Sequence, residues 1–253
     1  MTDNRAFGID VSHYDGLLNW KAVLEHVPEV TFIGYRATIS WGYRDPFFLA
    51  NWKDGGIHAI PRLAYHVVYP GEDVLRQVDN LFAALDKVLL PTDKIVLDVE
   101  LDHGINKTNI TNSVLKHADL CKKRTGEYPI LYSRASWLNQ FTYPVELTHL
   151  KLWLAQYLSK PALAKYANEM TTSPTLPAGF NNYLIHQTGD KLPPFCSTTT
   201  KSYQDYDRWN GTKEDVRAFF GIANVPEVPE VDPLDEIEKS AKDILTHVAE
   251  IRK

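Results

Sequence analysis

Short apolar runs rich in β-branched and aromatic residues alternate along the chain with longer amphipathic stretches. The runs predict strands at residues 7–11, 32–38, 60–66, 94–100, 129–132, 151–155 and 183–187, with a weaker one at 203–209. Helices are predicted between them, at 19–27, 45–54, 72–89, 110–125, 135–141 and 213–220. In the third of these, Val74, Val78, Leu81, Leu85 and Leu89 recur at spacings of three and four, which places them on one helical face. Gly126, just ahead of Tyr128-Pro129, is placed to end the fourth helix. Strand–helix alternation implies parallel strands, and eight strand slots point to an α/β chain closed into a TIM-barrel-like β/α barrel rather than an open sheet. Helices between the later strands are short or missing, so the barrel is expected to be irregular.

Past Gly221 the pattern changes. Residues 223–233 read as a Pro/Glu linker that runs extended. Residues 234–253 form an amphipathic helical tail in which Leu234, Ile237, Ala241, Ile244, Val248 and Ile251 follow an a/d pattern. Fewer than three heptads cannot hold a helix alone in water. The tail is therefore expected either to pack on the domain formed by residues 1–222 or to self-associate into a homo-oligomer.

Of 253 residues, 44% are hydrophobic and 23% charged, a globular balance that supports a sizeable core without disulfides or metal. The net charge of −5 gives no electrostatic reason to bind nucleic acid or an anionic membrane. No apolar run approaches the ~20 residues of a membrane span. The first residues show no h-region of a signal peptide, which leads to the expectation that the protein accumulates in the cytoplasm of the producing cell. Cys121 and Cys196 then read as reduced thiols.

The segment Ile95-Val96-Leu97-Asp98-Val99-Glu100 carries the strongest chemical signal. Strand alternation puts Val96, Asp98 and Glu100 on one face, with the two carboxylates ~6–7 Å apart along the strand. Burying like charges together is costly, and it raises one pKa so that a carboxyl can donate a proton near neutrality. An exposed pair of acids at a strand end would instead meet solvent or a lysine, and Asp-Val-Glu alone is compatible with both. Asp10 ends the first strand too far upstream to cap the helix at residue 19, and the C-terminal ends of barrel strands form the catalytic face. Tyr65-His66 ends another strand, where a histidine also serves as a hydrogen-bonded core residue. Asp205-Tyr206-Asp207 lies near the last strand, and aromatics such as Tyr14, Tyr35, Tyr132, Trp153 and Tyr157 cluster near strand ends. Acids beside aromatic faces suit a carbohydrate. No His-Glu-x-x-His and no glycine-rich phosphate loop is present, so neither metal hydrolysis nor nucleotide chemistry is indicated.

Gly8-Ile9-Asp10-Val11-Ser12-His13-Tyr14-Asp15-Gly16 with Asn19-Trp20 resembles the opening of glycoside hydrolase family 25, the Chalaropsis-type lysozymes or N-acetylmuramidases. Further matches follow in order: Arg36-Ala37-Thr38, Ala64-Tyr65-His66, Leu97-Asp98-Val99-Glu100, Pro129-Ile130-Leu131-Tyr132, Leu152-Trp153-Leu154-Ala155-Gln156-Tyr157, His186-Gln187 and Asp205 to Gly211. The resemblance implies a flattened, irregular barrel without cofactor or metal. It also implies hydrolysis of the β-1,4 bond between N-acetylmuramic acid and N-acetylglucosamine in bacterial peptidoglycan. Glu100 takes the place of the general acid, and Asp98 that of the carboxylate orienting the substrate acetamido group as it attacks the anomeric carbon. Asp10 and Asp205 tune that pair. Tyr35, Tyr65, His66, Tyr132, Trp153, Gln156, Tyr157, Gln187 and Asp207 fall at substrate-binding positions.

Three departures from the family pattern are visible: Arg36 for Lys, His186 for Trp, and Asp207 for Asn at what reads as the edge of the site. A family member made without a leader resembles a phage endolysin that reaches the wall after release from an infected bacterium. The alternatives are a glycosidase on a related aminosugar polymer, or a wall-binding or virion protein that keeps the barrel without turnover.

Overall fold

The computed structural model describes residues 5–158, 172–200 and 203–222. The linker and tail expected at 223–233 and 234–253, and with them any self-association, lie outside the described residues. Nine strands are present among the described residues: β1 (Phe7–Val11), β2 (Val30–Ile39), β3 (Tyr43–Arg44), β4 (Arg62–Val67), β5 (Lys94–Asp98), β6 (Ile130–Ser133), β7 (Leu152–Ala155), β8 (Ile185–Leu192) and β9 (Gln204–Trp209). Helices α1 (Trp20–Leu24), α2 (Phe48–Ile57), α3 (Val74–Ala84), α4 (Lys107–Thr125), α5 (Ala135–Phe141) and α6 (Lys213–Phe219) accompany them. The ring runs β1-β2-β4-β5-β6-β7-β8-β9 and closes by the pairing of β9 with β1, with β3 attached to β2 as a short hairpin.

Seven strands of the ring run parallel, as alternation implies, but β9 is antiparallel to both neighbours. The connection from Leu192 to Gln204 is too short for a crossover helix, whereas an antiparallel return needs none. This strand corrects the all-parallel expectation.

Side chains alternate along the strands, apart from register shifts such as those between Arg36 and Thr38 in β2 and between Gln187 and Leu192 in β8. Inward residues Phe32, Leu63, Val96, Ile130, Trp153, Ile185 and Trp209 fill the barrel, joined by Val216 and Phe220 at and just beyond α6. That helix starts on a capping box between Thr212 and Asp215, close to where β1 begins. Outward residues Ile9, Ile33, Ala37, Ala64, Leu97, Leu131, Leu152 and Leu154 form a second core with the surrounding helices. In α3, Val74, Val78, Leu81 and the C-capping Leu85 are buried on the expected face, under an Asp73 N-cap. Gly126 ends α4 at φ 86°, as its position predicts. Gly34 is required by packing: a Cβ there would stand 2.6 Å from the Trp153 ring and 3.0 Å from the Asp10 Cβ.

The same alternation sends His66 outward. It is fully buried, with Nδ1 2.7 Å from Thr38 Oγ1 and its ring 5.9 Å from that of His117. His117 Nδ1 donates to the Ser113 carbonyl at 2.8 Å. Burial, with His117 adding to it, pushes His66 down to about 3, and burial pushes His117 down to about 4. Both lie below the unfolded value, so the unfolded chain takes up protons first as pH falls, and stability drops below pH ~6.5. The wild type is therefore expected to lose up to about 3 kcal/mol relative to His117→Gln between pH 6.5 and pH 4. Urea midpoints of the two proteins across that range check this; a pH-independent gap contradicts it.

Candidate active site

The inward residues at the C-terminal ends of the parallel strands surround a cavity of about 460 Å³, the size of a small-ligand site. Asp10 and Ser12 come from β1 and its end, Arg36 from β2, Tyr65 from β4, Asp98 from β5 and Tyr132 from β6. Trp153 and Tyr157 come from β7 and its end, Gln187 and Asp190 from β8, and Asp205 from β9, with Tyr14 and Tyr203 also in the lining. The floor is wired together. The Tyr132 hydroxyl donates to Gln187 Oε1 at 2.7 Å, and Gln187 Nε2 donates to Asp10 Oδ2 at 2.7 Å.

Asp98 ends β5 with some surface open to the cavity, but its Oδ1 is buried without a hydrogen-bond partner. Burial, then the charges of Glu100 and Asp10, hold its carboxyl well above the usual range, against an opposing pull from Arg36. Glu100 stands just past the strand end, outside the residues that line the cavity but close enough to Asp98 to raise its pKa, with its side chain 30% exposed and 3.5 Å from Arg134 Nε. Burial raises Glu100 as well, and Arg134 partly offsets this. Both carboxyls are thus raised, and the two titrate as neighbours. Burial keeps Tyr65 and Tyr132 as neutral phenols.

A cationic group flanks each side. Arg36 is held by Asp45 at 3.1 Å, donates to the His13 ring, and lies over the Tyr14 and Tyr43 rings at 5.6 and 5.8 Å. Arg134 donates to the Tyr157 hydroxyl at 3.2 Å and sits over that ring. Arg134 was missed in the sequence. The signal was there, because it lies one residue past the end of β6, as Glu100 lies two past the end of β5.

Four assignments need correction. Tyr35 faces outward and packs edge-on against Trp52 at 5.6 Å, since its neighbour Arg36 points inward. His66 faces outward for the same reason beside Tyr65. Gln156, just past β7, spends its side-chain oxygen on the Thr175 N–H at 2.7 Å and does not line the cavity. Asp207 faces inward but has no accessible surface, so it lies beneath the site rather than at its edge. His186 also points away from the cavity, with Nε2 2.8 Å from the Gln156 carbonyl oxygen, so replacing an aromatic there leaves the cavity wall unchanged.

The model of glycosyl hydrolases family 25 matches residues 9–187. The chain belongs to this family. Over 192 residues it is 28% identical to lysozyme M1 of Streptomyces globisporus, covering 71% of this chain and 60% of that protein. It is also 28% identical over 131 residues to the uncharacterized protein YegX of Escherichia coli K12, covering 51% and 48%. The chain thus spans about half to three-fifths of these curated relatives. Among solved structures, the family 25 barrel superposes on the Streptomyces coelicolor lysozyme with a TM-score of 0.72, at 23% identity, over 87% of this chain and 98% of that one. The catalytic domain of endolysin ply40 from Listeria phage P40 gives 0.65 at 20% identity, over 86% and 98%. These likenesses show the family 25 fold.

Proposed function

We propose that the protein is an N-acetylmuramidase that hydrolyses the β-1,4 bond between N-acetylmuramic acid and N-acetylglucosamine in bacterial peptidoglycan. The observation that carries this reading is Asp98 in a family 25 barrel cavity walled by neutral phenols and Trp153, with Glu100 beside it just past the end of β5. Aromatic faces suit sugar rings, and Asp10, Asp205 and Gln187 supply partners for hydroxyl and amide groups.

In this reading the orphaned Asp98 Oδ1 accepts the N–H of the substrate's acetamido group. A hydrogen bond to the ionised form lowers the Asp98 pKa and leaves the site's proton with Glu100. The acetamido oxygen then attacks the anomeric carbon, the glycosidic bond breaks, and Glu100 gives its proton to the departing oxygen. Glu100, now a base, takes a proton from the water that opens the ring intermediate. Such an enzyme acts lytically, and its use as an endolysin is the biological role we attach to it.

Digestion of purified peptidoglycan, borohydride reduction and mass spectrometry of the new ends test the reading. Reduced muramic acid is expected. Reduced glucosamine ends would mean a glucosaminidase, and no new ends across several wall types would favour a binding protein. Arg134 supplies a second check. Its charge favours ionised Glu100, so Arg134→Met is expected to move the alkaline limb of kcat/KM upward. The shift is about half a pH unit, because a half-exposed pair is worth ~1 kcal/mol or less. An unmoved or lowered limb refutes the contact's role in setting the Glu100 proton.

A further inference from the structure

At the cavity floor, the strands that close the ring bring beside Asp10 a further acid, Asp207, that the proposed chemistry does not use. Asp207 on β9 has no accessible surface. Its Oδ1 accepts the Trp153 Nε1–H at 2.8 Å, while its Oδ2 meets no N–H or O–H donor. β9 pairs with β1, Asp207 opposite Gly8 and Asp205 opposite Asp10, so the Asp207 carboxyl lies one pair away from that of Asp10 on the same inward face. Two carboxylates have only acceptors to offer each other, so a hydrogen bond between them requires a proton. Like charges in contact away from water cannot both persist at neutral pH.

The surroundings decide where the proton sits. Asp10 lines the cavity and accepts from Gln187 Nε2, both of which favour its charge. Asp207 is dry and has one oxygen already serving Trp153. Asp205 on β9, Arg36 on β2, Tyr65 on β4, Asp98 on β5 and Tyr132 on β6 are among the charged and titratable groups that line the cavity with Asp10. The cation among them, Arg36, is held by Asp45. Burial, reinforced by Asp10 and Asp205, keeps the Asp207 carboxyl well above the usual carboxylate range.

We propose that Asp207 is a positioning residue that stays protonated through neutral pH and donates its Oδ2–H to Asp10, fixing the Asp10 carboxylate at the cavity floor. Asp10 is thereby held from two sides, by an amide N–H and a carboxyl O–H, and presents one orientation to the sugar. The location of the proton stands apart from the muramidase reading; its effect on turnover rests on that reading.

Urea unfolding midpoints of wild type and Asp207→Asn from pH 4 to pH 8 test the proton directly. The unfolded chain gives up the Asp207 proton above its ordinary pKa while the folded chain keeps it. The wild type is therefore expected to lose about tenfold in folding constant per pH unit relative to Asp207→Asn. A gap that does not change with pH overturns the proposal. In turnover, Asp207→Asn, which keeps an N–H donor, is expected to stay within about threefold of wild type, and Asp207→Leu to lose about tenfold or more. Equal losses in the two variants overturn the positioning role. A wild type without turnover at any pH would remove the muramidase reading while leaving the unfolding comparison decisive for the proton.

Discussion

Glu100→Gln is expected to lower peptidoglycan turnover by about 10²- to 10⁴-fold, the usual contribution of a general acid, with folding and glycan binding retained. The amide fills the same space beside Arg134, and its oxygen still faces the guanidinium, so packing changes little. What disappears is the proton that the departing sugar oxygen must receive. A substrate whose leaving group needs no protonation separates the two losses: the variant should cleave an activated aryl glycoside far better, relative to wild type, than it cleaves wall. Rates of wall solubilisation, sedimentation of the variant with intact walls and a thermal unfolding curve make the test. Turnover within a few-fold of wild type would remove Glu100 from the role of acid.

Asp98→Asn is expected to cost about 10²- to 10³-fold in kcat, comparable to losing one preorganised partner of the developing charge. The signs of its other effects set it apart from a structural lesion. Burial and two neighbouring acids hold the wild-type carboxyl well above its ordinary value. A raised carboxyl destabilises the fold at any pH above its unfolded pKa. Asparagine removes that cost, so the variant should unfold at a higher midpoint than wild type at pH 7 while turning over far less. A variant that is both less stable and less active would show instead that Asp98 holds the barrel mouth together.

Much of this was legible in the chain. All eight ring strands lie where the apolar runs place them, because inward and outward faces are both buried and the runs are correspondingly dense. The acids Asp10, Asp98 and Asp205 converge as the strand ends imply, and Glu100 stands beside them. Tyr35 and His66 were misplaced through a parity error: Arg36 and Tyr65 point inward, so their immediate neighbours cannot. Asp207 obeys parity yet lies one pleat deeper, and depth along the barrel axis depends on the register between β9 and β1, which no local pattern encodes. The hairpin strand β3 escaped notice because two residues leave no periodicity. The reversal of β9 has no local signature: the predicted strands at 183–187 and 203–209 leave room for a crossover, and only the extension of β8 to Leu192 shortens the connection.

The bond from Gln187 to Asp10 spans 177 residues, and β9 is the strand that seals the ring. On the ribosome, the first strand must therefore wait for nearly the whole barrel to be synthesised before its acid meets its partners. Until Trp209 has emerged, the growing chain has an open edge at β1 and no assembled floor. A nascent or prematurely terminated chain is in that sense inert. In the muramidase reading, the complete site is assembled only with closure of the barrel.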